Sequence, residues 1–208
     1  MARHASYDRD AVLKRALELF WAKGYHATSL KDLEGALDMR PGSIYAAFGS
    51  KEALYGETLR LYAQMSQTQF EELLAKAPTR LAGLAAHVRA LGCVAPESVP
   101  SRACMLVKTL LETPDDDPVL RQLTEDMMRK VEIAFANIYR AARDAGEIPE
   151  TADPERLASR LQIEIFGLRA YAQRTDSGAR VTALADDIAR DIEALAISEP
   201  TTANAPAK

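Results

Sequence analysis

The chain has 208 residues, 48% of them hydrophobic, and a formal net charge of −4, enough apolar material for one sizeable core or for a small domain joined to a larger one. Its two cysteines, Cys93 and Cys104, lack metal-ligand spacing and its three histidines, His4, His26 and His87, stand far apart, which argues against a zinc site and against any other metal or cofactor. No apolar run approaches about 18 residues and no charged-then-apolar leader follows Met1, so the expected protein is cytoplasmic, neither membrane-spanning nor exported, with its thiols reduced.

Residues 1–7 form a polar arm with Arg3 and His4, suited to a minor groove or to disorder. From Asp8 onward Val12, Leu13, Ala16, Leu17, Phe20 and Trp21 recur at helical spacing, and Gly24 after Lys23 supplies a helix stop. Trp21 lies in that apolar stripe and reads as core.

Residues 28–48 predict two short helices joined by a tight turn. Leu30, Leu33 and Leu37 fall at i, i+3 and i+7, while Lys31, Asp32 and Glu34 keep the other side wet. Thr28 or Ser29 caps the start, and Ser29 with Asp32 has capping-box spacing. Arg40 precedes a proline and is pushed out of helical geometry, whereas Pro41 suits the first position of a new helix. Ile44 and Phe48 then point inward and leave Gly42, Ser43, Tyr45 and Ala46 on the opposite face. This is the pattern of a helix-turn-helix; a helical hairpin that merely packs is the alternative.

The chemistry of that face suits a duplex. Amides at Gly42 and Ser43 have little bulk around them, Arg40 and Lys51 bracket them with charge, and Tyr45 adds a hydroxyl. The expected DNA contacts are Thr28, Ser29, Arg40, Pro41, Gly42, Ser43, Tyr45, Ala46 and Lys51. Ala46 offers only a methyl group, so base readout from that position is weak. Residues 1–52 hold eight Lys and Arg against seven Asp and Glu, a charge of +1, and the remainder holds 18 against 23, a charge of −5. Affinity must therefore come from local placement of Arg40, Lys51, Lys31 and Arg3, with strong salt sensitivity.

Residues 51–76 predict a long helix with apolar residues on more than one face, and Gly56 near its start is a candidate hinge. A helix follows over 80–93, a loop over 94–101 with Pro96 and Pro100, and a buried helix over 101–113. Asp115, Asp116 and Asp117 ahead of Pro118 suit the start of the next helix better than a metal, because consecutive side chains diverge there. That helix runs over 119–144 with Met127, Phe135 and Tyr139 inward. Asp153 and Pro154 open another to about residue 173, with apolar stripes through Leu161 and Leu168 and through Phe166; Gly167 permits close helix approach. The last helix, 178–197, presents Leu184, Ile188 and Ile192 on one side. This pair could form half of an intersubunit four-helix bundle, with Leu161, Leu168, Leu184, Ile188 and Ile192 as the interface, or could be buried within one subunit. Residues 198–208 read as a loose tail.

Residues 8–55, with ALELFWAKGYHATSLKDLEGAL followed by RPGSIYAAFGSKEALY, resemble the N-terminal DNA-binding domain of the TetR family of transcriptional regulators. The chain departs from the family pattern at Asp38, where the turn usually carries glycine, and at Ala46, where a bulkier residue often follows the tyrosine; Asp tolerates the left-handed conformation. The resemblance implies an all-α protein with a three-helix DNA-binding domain over 1–52 and a helical effector-binding and dimerisation domain over 53–197. It implies a homodimer that binds a double-stranded operator and is released by a small-molecule effector, more naturally a repressor than an activator. Candidate pocket residues are Cys104, Lys108, Met127, Phe135, Tyr139 and Phe166. Cys104 precedes Lys108 by one helical turn, so the ammonium could favour a thiolate, and a thiol sensor of electrophiles or oxidants is an alternative reading. A cysteine-dependent helical enzyme is a further one, although His87 is the single histidine available there as a base.

Overall fold

The computed structural model describes residues 8–113 and 118–197. Among them the backbone forms nine α-helices: α1 Arg9–Lys23, α2 Leu30–Leu37, α3 Pro41–Phe48, α4 Lys51–Lys76, α5 Arg80–Gly92, α6 Met105–Glu112, α7 Pro118–Asp144, α8 Pro154–Tyr171 and α9 Gly178–Glu193. The expected arm, the aspartates at 115–117 and the tail lie outside the described residues. No described helix is long and apolar enough to cross a membrane, and no described cluster of His, Cys, Asp and Glu is arranged to hold a metal.

Side-chain caps open α1, α2, α4, α5 and α8. Asp8 accepts from the Asp10 and Ala11 amides, Ser50 from Ala53, Thr79 from Ala82 and Asp153 from Arg156. At α2 the capping box is reciprocal: the Asp32 N–H donates to Ser29 Oγ at 3.1 Å and the Ser29 N–H donates to Asp32 Oδ2 at 2.8 Å. The shorter Asp closes the box that Glu or Gln more often closes. Asp38 ends α2 in the left-handed region, φ 53° and ψ 45°, as its side-chain chemistry permits.

Two cores result. The first joins α1, α2 and α3 through Phe20, Leu33, Leu37 and Ile44, each about 1% exposed or less, to Leu54, Tyr55 and Leu59 of α4, and it runs on into α6 and α7 through Met105 and Leu120. Each such side chain contributes about 1.5–3 kcal/mol on burial. The boundary expected at residue 52 thus falls inside one continuous helix whose first half belongs to the N-terminal core. Gly56 lies buried in that half, and a Cβ there would stand 3.4 Å from the Leu123 side chain of α7. The second core packs α5, α7, α8 and α9 around Leu84, Val88, Phe135, Tyr139, Leu161 and Ile192. Gly92 lets α5 approach α9 so closely that a Cβ would overlap Ala185. Arg89 seals that contact with bonds to Asp186 at 2.8 Å and to both oxygens of Glu193 at 2.6 and 2.9 Å.

The helix expected from residue 101 starts only at Met105, with Cys104 as its extended N-cap (φ −65°, ψ 127°). The polar groups of residues 101–103 are taken by other elements. Trp21 Nε1–H donates to the Ala103 carbonyl at 2.8 Å. Arg169 of α8 donates through Nε to the Arg102 carbonyl at 3.0 Å and through its Nη2 to the Ala103 carbonyl at 3.3 Å. Gln173, with its amide oxygen facing the donors, accepts from the Arg102 N–H at 2.8 Å, from Ser101 Oγ at 3.2 Å and from the Ala103 N–H. Hydrogen bonds to distant partners replace those of a helical turn.

Helix α6 is also docked on the N-terminal domain. The Lys108 ammonium donates to the Trp21 carbonyl at 2.8 Å and to the Ala22 carbonyl at 3.2 Å, capping the last turn of α1. Lys108 therefore serves α1, which corrects the expectation that it would lie over Cys104. Thr109 meets the Tyr55 hydroxyl at 2.7 Å, and the Glu112 carboxylate lies against Gly24, whose φ of 87° and missing Cβ make room for it.

Replacing Asp38 by valine is expected to lower stability in urea unfolding by about 1–2 kcal/mol, because a β-branched residue opposes the left-handed backbone, whereas Asp38→Gly leaves stability equal or higher. Lys108→Met, which keeps the stem but removes the donor, should cost about 1–2 kcal/mol. It should also speed hydrogen exchange in the last turn of α1 more than in α2.

Candidate nucleic-acid interface

Helix α3 begins differently from its neighbours. Arg40 is its extended N-cap (φ −73°, ψ 151°), Pro41 fills the first turn, and no side chain caps the end. The amide end is left to the backbone alone: the Ser43 N–H turns to the Arg40 carbonyl at 2.9 Å, and Arg40, Gly42 and Ser43 are exposed around it. Ile44 (1% exposed) and Phe48 (5%) anchor the buried side, while Tyr45 is 43% exposed and Ala46 lies beside it in solvent. The helix thus turns the expected residues outward because its two large apolar side chains must face α1, α2 and α4.

The frame behind this face is stiff. Arg9 of α1 donates from Nη2 to both carboxylate oxygens of Glu57 in α4 at 2.8 Å and lies 4.9 Å over the Phe48 ring of α3. Phe20 meets Tyr55 edge-to-face and Tyr55 meets Tyr25 at a tilt, both at centroid distances of 4.9 Å. Lys51, at the first position of α4, holds its ammonium 4.5 Å over Tyr25. Burial pushes the Lys51 pKa down, and the nearby Asp32 carboxylate opposes that shift. Asp32 itself is held well below the usual carboxylate range, first by the Lys23 ammonium at 2.8 Å and then by Ser29. An acid beside the exposed face of α3 is thereby kept paired with cations.

Two expected contacts change meaning. Thr28 is fully buried, and its hydroxyl donates to the Gly24 carbonyl at 2.6 Å, so its side chain closes the α1–α2 turn and faces no ligand. Ser29 remains exposed but its hydroxyl is shared with Asp32. Pro41 and Lys51 are half-buried at the rim, and Arg40, Gly42, Ser43, Tyr45 and Ala46 form the open face.

The six expected pocket residues do not converge. Cys104 (8% exposed) and Met127 belong to the first core, Phe135 and Tyr139 to the second, and Phe166 touches both. Lys108 is engaged with the end of α1. Tyr139 borders a small crevice with Leu161, Glu164 and Ile192. The Tyr62 hydroxyl lies by the Cys104 thiol and the Met105 N–H, and burial pushes its pKa up. His87 sits between Phe70 at 4.7 Å and Phe135 at 6.2 Å. Burial first and the Arg169 charge second hold His87 down at about 4, so it is neutral near pH 7. A cleft of about 390 Å³ between α1 and α4, lined by Asp10, Lys14, Glu57 and Arg60 among others, contains none of the six.

Of the expected dimer contacts, Leu161 (1%), Leu168 (5%) and Ile192 (4%) are buried against α5 and α7 inside the subunit, which corrects their assignment to an interface. A stripe facing a partner needs the opposite side of α8, where Ile163 is 69% exposed and Gly167 and Ala170 are open. On α9, Leu184 (37%) and the half-buried Ile188 remain available.

The sequence pattern does not reveal that Trp21 and Arg169 hold the segment ahead of α6. The signal for Trp21 is its indole N–H, which needs an acceptor wherever the ring is packed. Arg169, a guanidinium between the apolar positions Leu168 and Ala170 of an otherwise two-faced helix, carries a similar signal.

Comparison with known proteins agrees with this architecture. Residues 12–58 match the model for bacterial regulatory proteins of the tetR family, and residues 77–188 match that for the tetracyclin repressor-like C-terminal domain. The HTH-type transcriptional repressor ComR of Escherichia coli is 31% identical over 170 residues, 80% of each chain. The HTH-type transcriptional regulator YezE of Bacillus subtilis is 30% identical over 179 residues, 84% of this chain and 91% of that one. A cysteine-substituted form of the TetR-family regulator CifR, solved with 26-base-pair double-strand operator DNA, superposes with a TM-score of 0.83 at 29% identity, covering 91% of this chain and 98% of that one. Both domain models, two relatives along most of their length and a superposable fold make this chain a member of the TetR family of transcriptional regulators.

Proposed function

We propose that the chain is a homodimeric repressor that holds a double-stranded operator through α3 and lets it go when a small molecule occupies the C-terminal domain. The observation that carries the DNA reading is the start of α3, bare of any side-chain cap and ringed by exposed Arg40, Gly42, Ser43 and Tyr45. A helix end of this kind offers partial positive charge to a phosphate. Lys51 adds a cation whose seat on the Tyr25 ring fixes it at the rim. The solved operator complex of CifR and the repressor role in the name of ComR support the same reading. An operator-binding role implies a cytoplasmic location.

Two half-sites require two copies of α3, and the exposed face of α8 and α9 supports a symmetric pairing. Ile163 and Leu184 are large apolar groups in solvent, and Gly167 has no heavy atom within 4 Å of an added Cβ, so a second backbone can come close there. Repression by such a dimer is released by linkage: an effector that prefers a spacing of the two α3 helices different from the groove repeat weakens operator affinity.

Arg40→Ala and Lys51→Ala should each weaken binding and reduce the slope of log affinity against log salt by about one for every phosphate ion pair removed, with sequence preference unchanged. Fluorescence anisotropy on the DNA upstream of its own reading frame measures both; wild-type slopes in both variants would remove the phosphate-docking model. Ile163→Glu and Leu184→Glu should convert a dimer to monomers in light scattering and abolish full-operator binding, while circular dichroism stays helical, since both side chains are already exposed. A wild type of single-subunit mass at micromolar concentration would refute the pairing.

A further inference from the structure

Most arginines of the C-terminal domain that make close polar contacts reach a carboxylate, whereas Arg102 and Arg180 donate to hydroxyls. Arg89, Arg140, Arg160, Arg174 and Arg190 all end on carboxylates. The Arg169 donors end on two neutral main-chain carbonyls, those of Arg102 and Ala103, and it joins no ion pair among the described residues. It is half-buried, 6.0 Å from the Trp21 ring, and the charge that reaches His87 is its own. Tyr62 lies in the same field. Phe166, one turn earlier on α8, touches both cores. A cation near an indole ring, whose field reaches a neutral imidazole, therefore stands with no carboxylate paired to it among the described residues.

We propose that Arg169 is the recognition group of the effector site and that the effector is a small carboxylate with an apolar body. The inference rests on the reading of the chain as an effector-released regulator and names the ligand class of that response. A planar carboxylate satisfies a guanidinium through two charge-assisted bonds, shorter and stronger than bonds to neutral amide carbonyls. It therefore displaces the Arg102 and Ala103 carbonyls from Arg169, while its apolar part packs on Phe166. The displaced Ala103 carbonyl is also the acceptor of Trp21 Nε1, and the chain leads from there directly into α6, whose Lys108 caps α1. Capture of the anion thus slackens the attachment of α1, and a ligand binding this loosened form better than the docked one shifts the population away from the DNA-bound arrangement.

The chain has one tryptophan, so its emission reports the Trp21–Ala103 contact without DNA. The experiment titrates the full chain with benzoate and hexanoate, and in parallel with benzamide and hexanamide, at millimolar concentration. Saturable shifts of Trp21 emission with the acids and none with the amides are expected. Arg169→Gln should weaken the half-saturation by at least about tenfold, the factor that corresponds to removing one charge-assisted hydrogen bond. Where Arg169→Gln does not fold, Arg169→Lys, which keeps the charge and loses the fork, should show weaker saturation than wild type. Amides acting as well as acids, no acid shifting the emission, or an Arg169 variant titrating as wild type would each overturn the proposal. Operator binding read separately by anisotropy keeps the two readings apart: a chain that answers carboxylates but holds no operator refutes repression and leaves the site standing, and a chain that holds operator but ignores carboxylates does the reverse.

Discussion

The carbonyl of Ala103 accepts the indole N–H of Trp21 at 2.8 Å and a guanidinium N–H of Arg169 at 3.3 Å, so helices from opposite ends of the chain converge on one oxygen. Such a carbonyl has two lone pairs and here uses both. Its position is fixed only while α1, α8 and the start of α6 keep their mutual places. A shift of α8 would reach Trp21 through this segment, because Gln173 and Arg169 hold the amides and carbonyls of Arg102 and Ala103. Packed elements respond to such a change by exchanging one arrangement for another, since a dense core does not deform continuously.

Helix α4 gives that exchange somewhere to go. Its first half is bound to α1 by Arg9–Glu57 and by the edge-to-face rings of Phe20 and Tyr55, and its second half enters the other core through Phe70, 5.4 Å from Phe135. No break divides it, and Gly56, which the sequence offered as a hinge, is buried against Leu123 of α7. The two cores are therefore joined along an unbroken α4 and through the α6 contacts with α1, with no exposed glycine between them.

Much of this was legible in the sequence because it depends on local rules. Ser29 with Asp32, Pro41 after Arg40, Asp38 at a left-handed turn and Asp153 before Pro154 state their roles through backbone chemistry, and those elements form where the pattern puts them. The helical period also placed Ile44 and Phe48 inside and Tyr45 outside. Failures cluster where the deciding partner is distant. Arg102 and Ala103 carry helix-compatible side chains, yet their carbonyls and amides are claimed by Trp21, Arg169 and Gln173, which lie about 70 to 80 residues away. Lys108 sits one turn from Cys104, and nothing local reveals that the end of α1 is the better partner for an ammonium. Leu161, Leu168 and Ile192 illustrate a different limit: periodicity finds the apolar stripe of an amphipathic helix but does not say whether its own subunit or another covers it.

The electrostatics of the DNA face follow from the same division of labour. With a net charge of −4 over the whole chain, general attraction to a polyanion is unavailable, and acidic groups near the duplex have to be neutralised one by one. Asp32 is paired with Lys23 and wrapped by Ser29, and Glu57 is held by Arg9, so these two carboxylates are committed to the frame. What remains uncommitted is the amide end of α3 with Arg40, and the Lys51 ammonium on its aromatic seat. A surface of this kind binds by registration of a few fixed contacts. On the reading proposed above, its affinity depends steeply on whether two such surfaces match the spacing of their half-sites, and a change at Arg169 and Ala103, transmitted through α1 and α4, would alter that spacing.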